Sequence, residues 1–520
     1  GIYMLTVEKK KSVKNGIARV VVVGLGFLIE ILIIYAIFIG LNKYAEWIAI
    51  ITRIVAFIII INLYSSDKTS TVKLPWILII GTFPLAGVLL YVMIGFNPML
   101  RSKKKRFLLA HDKYTSKLIE MNGLESELDE INPYSANISH YIKTQSGFQL
   151  NRIQDIAYYP TGMEGLQAQL EAMSQAKKYI FMEYFAVENS DSWEMVEKVL
   201  ERKVKEGVEV RVVYDDLGSI GFVNTDFAQA LRKKGIQCHV FNAFVPGLNV
   251  FLNNRDHRKM TIIDGEIAFT GGYNIANEYF GLEKPYGYWK DTGLKLTGPI
   301  VNNFVSMFLE MWAVTDKKKN KVVDENTYFI NHMEPIAENG YVHAYGETPM
   351  KDEKLAENVY ISMIEAAKDY IWFVTPYLIL TDEMIHAFTV AAKRGVDVRI
   401  ITPGIPDKKI IYSVTRSYYH VLCKNGVQIY EYTPGFCHCK MCVSDDERAI
   451  CGTINLDYRS LYHHFEDGVF LCNCETVFDI KSDFEEMLVQ SHNVSEEYAT
   501  GTSSVLKVKQ LLLRFVAQLL

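Results

Sequence analysis

The spacing His-x-Lys-x4-Asp occurs twice in this chain, and each copy continues in the same way. His257, Lys259 and Asp264 are followed by Gly271-Gly272-Tyr273-Asn274, and His438, Lys440 and Asp445 by Gly452-Thr453-Ile454-Asn455. In both copies the Asn lies 17 residues after the His. One such triplet arises by chance at about the few-per-cent level in a chain this long; two with matched continuations do not. Transfer at a phosphodiester needs a nucleophile, an acid for the departing alkoxide, and positive charge for the phosphate. A neutral imidazole can attack phosphorus and hold a phosphohistidine. A second, protonated imidazole can give its proton to the leaving oxygen and then take one from the incoming hydroxyl. Histidine suits both tasks because its ordinary pKa is about 6.5. Lys259 and Lys440 supply the charge, and Asn274 and Asn455 supply amide donors for non-bridging oxygens. This chemistry needs no cofactor or metal, because the lysines replace the cation.

Each imidazole also needs an acceptor on its other ring nitrogen. Glu466 follows Asn455 by 11 residues, and aligning Asp291-Thr292-Gly293 with Glu466-Asp467-Gly468 picks out Asp291 in the first half. Asp291 and Glu466 are therefore expected to orient the histidines. Asp264 and Asp445 belong to the catalytic motifs, yet they sit at strand-to-turn positions, where tying the loop together is the favoured reading over touching substrate. Cys437, His438, Cys439 and Cys442 could suggest zinc, but Cys-x-Cys spacing without a second knuckle is a weak signal, and this His already fills the repeated motif. No metal is expected. His464 stands next to the second site and is a candidate contact; a solvated or supporting role is the bland alternative.

The elements that must position these residues are also duplicated. From about residue 150, apolar strands alternate with helices. The strand around Tyr179–Phe185 has a counterpart at Tyr370–Tyr377, Gly207–Val213 matches Gly395–Ile401, and Lys234–Gln237 matches Asn425–Gln428. Apolar strands beside helices imply α/β lobes with largely parallel or mixed sheets covered on both faces. The expected organisation is a hydrophobic region at 1–100, a charged helical connector at 101–148, a first lobe at 149–330, a second at 331–500, and an amphipathic helix at 501–520. A pseudo-two-fold axis would bring both motifs to one cleft. The last helix carries Val508, Leu511, Leu512 and Phe515 on one face, and either lies against anionic lipid or docks on the protein.

Three apolar stretches, 20–41, 45–63 and 74–97, open the chain, each near the ~20 residues that cross a bilayer. Glu30 and Arg53 interrupt two of them and should face a helix partner or polar cavity. Lys9, Lys10, Lys11, Lys14 and Arg19 precede the first stretch, and Arg101, Lys103, Lys104, Lys105 and Arg106 follow the third. The positive-inside rule places both clusters in the cytoplasm, which requires an even number of crossings. One stretch therefore does not span; 74–97, with Pro75, Gly81, Pro84 and Gly87, could be broken or re-entrant, and 45–63 could equally lie tilted at the interface.

The chain has 520 residues, 49% of them hydrophobic, and a net charge of −5. That length implies more than one domain, and that charge does not suggest a nucleic-acid binder. All eight cysteines fall from Cys238 onward, in spacings that read as reduced cytosolic thiols. Gly1 is not a natural start, so a short piece is expected to be missing or left over.

These residues resemble the phospholipase D superfamily, and within it the bacterial cardiolipin synthases. Asn254-x2-His257-Arg258-Lys259 with Gly271–Ala276 is similar to the family's first motif. Tyr432-x-Pro434-Gly435-Phe436-x-His438-x-Lys440 with Gly452-Thr453-x-Asn455-Leu456-Asp457-x-Arg459-Ser460 is similar to the second. Glu183-Tyr184, Tyr214-Asp215, Gly218-Ser219, Tyr288-Trp289-x-Asp291 and Thr375-Pro376-Tyr377 also match, over about residue 45 to the end. The resemblance implies two tandem phospholipase D-like α/β lobes behind a transmembrane region, in a multi-pass protein of the bacterial cytoplasmic membrane with its catalytic part in the cytoplasm. It implies that two phosphatidylglycerols give cardiolipin and glycerol, with His257 as nucleophile and His438 as acid. A membrane-bound hydrolase, or less readily a nuclease, is the alternative on the same fold. Partners would be phosphatidylglycerol and anionic lipid, and pairing of apolar helices could give a homodimer. Two features depart from the pattern: the extra stretch at 20–41, and Cys437, Cys439 and Cys442 crowding the second motif.

Overall fold

The structure is a computed structural model describing residues 45–515 except 67, 96–97, 244–253, 317–324, 331–339 and 502–507, together with Val21, Leu25, Leu28, Leu32 and Tyr35. The stretch 20–41 with Glu30, and the first basic cluster, thus lie largely outside the described residues.

The first lobe is a seven-stranded sheet. Its strands are β1 (Asp155–Tyr159), β2 (Tyr179–Tyr184), β3 (Glu209–Asp215), β4 (Gln237–Phe241), β5 (Lys259–Ile263), β6 (Ile267–Gly271) and β7 (Gly293–Thr297), in the order β1-β7-β6-β5-β2-β3-β4. The second lobe contains β8 (Tyr341–Glu347), β9 (Tyr370–Val374), β10 (Asp397–Pro403), β11 (Gln428–Tyr432), β12 (Met441–Ser444), β13 (Arg448–Gly452) and β14 (His464–Cys472). Their order, β8-β14-β13-β12-β9-β10-β11, is the first lobe's order repeated. The directions repeat too: β2-β3-β4 and β9-β10-β11 are parallel, and the remaining neighbours in each run are antiparallel. Helices cover the sheets, which is why β2 and β9 are buried at every residue and read as apolar runs, broken only by Glu183 in β2.

Each motif lies on a hairpin, β5-β6 or β12-β13. Asp264 and Asp445 occupy the turns with φ of 56° and 57°, a left-handed conformation that Asp tolerates better than most residues. One core runs through both lobes and the connector, joining Phe107, Phe148, Phe181, Phe308, Tyr345 and Phe465. The connector helix Pro98–Thr115 packs on Val301–Thr315, and His111 Nδ1 meets Glu310 Oε2 at 2.7 Å. All eight cysteines are free, and seven are buried.

At the N-terminal side, Ala45–Ser65 is a single helix, and its segment Glu46–Ser65 is long and apolar enough to cross a membrane. The next apolar stretch is not one helix. It breaks at Phe83 into Ser70–Thr82 and Pro84–Gly95, of 13 and 12 residues, each short of a ~20-residue crossing. Proline disfavours helical backbone in the residue before it. The two halves then fold against each other where Gly87 has no side chain: a Cβ there would sit 2.6 Å from Ile80 Cα. Arg53 differs from expectation. It stays exposed on the outer side of its helix, like Ile54 and Phe57, rather than turning toward a packed partner. At the other end, Val508–Phe515 docks on Lys409–Ser417, with the Arg514 guanidinium 4.2 Å from the centre of the Tyr418 ring, while Val508 and Leu512 remain exposed.

Candidate active site

Two short strand pairings stitch the lobes together and place the histidines. Arg255–Asp256 runs parallel to His464–Phe465, and Gly435–Cys437 runs parallel to Tyr288–Lys290. The His257 N–H donates to Phe465 O at 2.9 Å, and the His438 N–H to Lys290 O at 2.7 Å. Each imidazole then takes its carboxylate from the opposite lobe. His257 Nδ1 lies 2.9 Å from Glu466 Oε2, and His438 Nδ1 lies 2.8 Å from Asp291 Oδ2. Both carboxylates are fully buried. An ionised acceptor at Nδ1 selects the Nδ1–H tautomer and leaves Nε2 with its lone pair. His257 and His438 line one cavity of about 490 Å³, together with Asn274, Asn455, Trp289, Tyr279, Phe185 and His464 among others.

The lysines sit under the imidazoles. Lys259 Nζ donates to His257 O at 2.6 Å; Lys440 Nζ donates to His438 O and lies 2.7 Å from His438 Nδ1. Burial shifts all four groups toward neutrality, and repulsion from the lysines adds to it at Lys259, His257 and His438. Burial, then the charge of Lys440, lowers Lys259 to about 7. Burial lowers Lys440 to about 8 against the pull of Asp291. Burial and Lys440 bring His438 to about 3, and burial with Lys259 and Lys440 holds His257 well below its ordinary value. For Asp291, burial pushes upward, but the charges of His438 and Lys440 outweigh it and keep the carboxyl below the usual range. A phosphodiester among these groups supplies the missing negative charge and raises every one of these bases.

Asp264 and Asp445 do not reach the cavity. Asp264 accepts from the backbone N–H groups of Lys177, Lys178 and Tyr179 at 2.7–2.9 Å. Asp445 accepts from those of Lys368, Asp369 and Tyr370, each at 2.9 Å, and also pairs with Arg448. Their grouping with the catalytic residues is therefore corrected: each closes the motif hairpin onto the start of β2 or β9. Asn274 is corrected in part. Its Nδ2 donates to Tyr279 OH at 2.8 Å and its Oδ1 accepts from Ala186 N at 3.1 Å, so much of the amide is committed to the protein. Asn455 also lines the cavity, and its Oδ1 has no partner among the described residues.

Sequence reasoning named Arg258, between the His and the Lys of the first motif, but gave it no role. It is buried and reaches Glu466 O, Met307 O and Glu310 Oε1, tying both lobes to the connector's partner helix. The same reasoning gave Trp289 no role and offered His464 only as a candidate contact beside a solvated or supporting alternative. The offset was legible, since each stands two residues before an orienting carboxylate, but their different side chains hid the correspondence. Ligand atoms of His257, His464 and Glu466 lie within 4.8 Å of one another, a spacing a metal could use; the charge of Lys259 and Lys440, felt at His257, opposes a cation there.

Two like α/β lobes meeting over paired His-Lys motifs define a phospholipase D-type protein. The family model described as "Cardiolipin synthase, PLD-like domain" matches residues 170–312 and 360–488, and "Phospholipase_D-nuclease N-terminal" matches 51–95. An uncharacterized protein of Streptococcus mutans is 38% identical over 89% of this chain and 99% of its own length. Cardiolipin synthase 1 of Staphylococcus aureus is 31% identical over 91% of this chain and 96% of its own, and the cardiolipin synthase of Halalkalibacterium halodurans is 30% identical over 91% and 93%. The crystal structure of Haemophilus influenzae phosphatidylserine synthase superposes with a TM-score of 0.56 at 13% identity, covering 74% of this chain and 98% of that one, a likeness of fold. The chain belongs to the cardiolipin synthase family of the phospholipase D superfamily. It is accordingly a phosphatidyltransferase, and its apolar helix and matching N-terminal region make it membrane-associated.

Proposed function

We propose that this protein makes cardiolipin and glycerol from two phosphatidylglycerol molecules through a phosphohistidine. The observation that carries the reading is the pair of cross-lobe imidazoles, each fixed by a carboxylate of the other lobe, on one cavity. Nε2 of one histidine attacks phosphorus as the bond to the headgroup glycerol breaks, and the other imidazolium protonates the departing oxygen. The terminal hydroxyl of a second phosphatidylglycerol then gives its proton to that same imidazole and displaces the phosphatidyl group. Lys259 and Lys440 offset the phosphoryl charge. The site residues proposed are His257, His438, Lys259 and Lys440, with Asp291 and Glu466 orienting.

The same proposal sets the molecule at the cytoplasmic face of a bacterial membrane, anchored by more than one apolar stretch, with Arg106 and its basic neighbours on the cytoplasmic side. Self-association belongs to it as well, because Trp47, Phe57 and Ile58 stand exposed on the apolar helix; cross-linking in the bilayer reads that feature. The test of function is product analysis from phosphatidylglycerol proteoliposomes. Cardiolipin and glycerol in equal amounts support it. Phosphatidate in place of cardiolipin would mean that water, not an alcohol, enters the second step.

A further inference from the structure

The two halves of the site are alike in their catalytic groups and unlike beside them. Trp289 stands two residues before Asp291, with its ring centre 5.4 Å from that of His438; His464 stands two residues before Glu466, with its ring centre 5.3 Å from that of His257. Both rings line the cavity, both are more than nine-tenths buried, and neither has a hydrogen-bond partner for a ring nitrogen among the described residues. Buried polar groups are almost always paired, so what enters the cavity is expected to complete them.

What they can bind differs. An indole has only an N–H to donate, which suits a phosphate or ester oxygen. His464 Nδ1 lies 3.4 Å from Glu466 Oε1, close but not aligned for a hydrogen bond. That oxygen is unpartnered, whereas Glu466 Oε2 is met by His257 Nδ1 and by Thr453 Oγ1 at 2.5 Å. A small rotation of the His464 ring gives Oε1 an Nδ1–H and leaves Nε2 as a lone-pair acceptor. Burial, the largest influence, lowers this imidazole to about 3, which favours the neutral form and that lone pair. A phosphodiester has no proton to donate to such an acceptor; an alcohol has.

We propose that His464 accepts a hydrogen bond from a hydroxyl of the polyol headgroup. The inference rests on the reading of the protein as a transferase between hydroxyl-bearing lipid headgroups.

The test uses the full chain in detergent and two short-chain phosphonate analogues of phosphatidylglycerol in which methylene replaces the leaving oxygen, one with the headgroup diol and one without. The wild type should bind the diol about tenfold more tightly, about one hydrogen bond's worth. His464→Ala and the ring-sized His464→Phe should bind both analogues equally, and His464→Asn, which keeps an acceptor, should restore most of the preference. Equal binding by the wild type, or a preference that survives in both His464→Ala and His464→Phe, would overturn the proposal. The phosphonates are not turned over, so a protein that prefers the diol yet yields no cardiolipin from vesicles would contradict the proposed function and not the role of His464.

Discussion

Asp445 shows how a residue can belong to the repeated motif without reaching the cavity. Its carboxylate gathers three backbone N–H groups from 368–370 and Arg448, at a left-handed turn position. Asp445→Ala should therefore cost about 2–4 kcal/mol of stability, the worth of a few charge-assisted hydrogen bonds, while turnover per folded molecule falls less than about tenfold, since the group contributes no transition-state contact. Thermal unfolding and active-site-normalised rates separate the two effects. The lysines give a prediction in pH. Their values of about 7 and 8 lie below the ordinary value, so the native state binds fewer protons than the unfolded chain between about pH 7 and 10.5, and stability from these groups rises with pH across that window. An oxyanion such as tungstate restores the higher values. At pH 7.5 its binding should take up about one proton from solution, read by calorimetry in buffers of different ionisation enthalpy; proton release would contradict this account of the lysines.

At the scale of elements, the approach of the β6 end to the link carrying Asp291, between Tyr288–Lys290 and β7, is tight. A Cβ on Gly272 would lie 2.0 Å from Asp291 Oδ1 and 3.0 Å from His438 O. Gly272→Ala should push Asp291 off His438 and lower kcat by about a hundredfold, the scale of a 1 Å misplacement, with the fold retained by circular dichroism. Much of this geometry was legible beforehand. Duplication exposed His257, His438, Asp291 and Glu466, because one half vouches for the other. The role of Asp264 and Asp445 was legible from their turn positions. Other features had no such second copy. His464 is answered across the dyad by Trp289, so no repeat flagged it. The commitment of Asn274 depends on Tyr279 and Ala186, whose approach is set by packing of separate elements. The break at Phe83 was foreshadowed by Pro84, yet the fold-back needs Gly87 against Ile80, a contact no local pattern announces.

For the whole molecule, the repeated strand order makes two lobes in which each motif histidine takes its carboxylate from the other, so neither lobe holds a complete site. The apolar helix Ala45–Ser65 sets this assembly beside its lipid substrate. Val55→Asp, near its middle, costs about 2.5–3.5 kcal/mol on insertion scales and should release a larger fraction of protein on alkaline washing of membranes; unchanged retention would mean that other segments suffice.

The central claim is that one imidazole from each lobe acts on a single phosphorus within one chain, and mixing two inactive variants tests it most directly. His257→Ala and His438→Ala, each in phosphatidylglycerol proteoliposomes, should lose cardiolipin formation by about a thousandfold or more, and reconstituting them together should restore nothing. Recovery of substantial activity in the mixture, or a single variant that keeps it, would show that the two histidines serve separate centres.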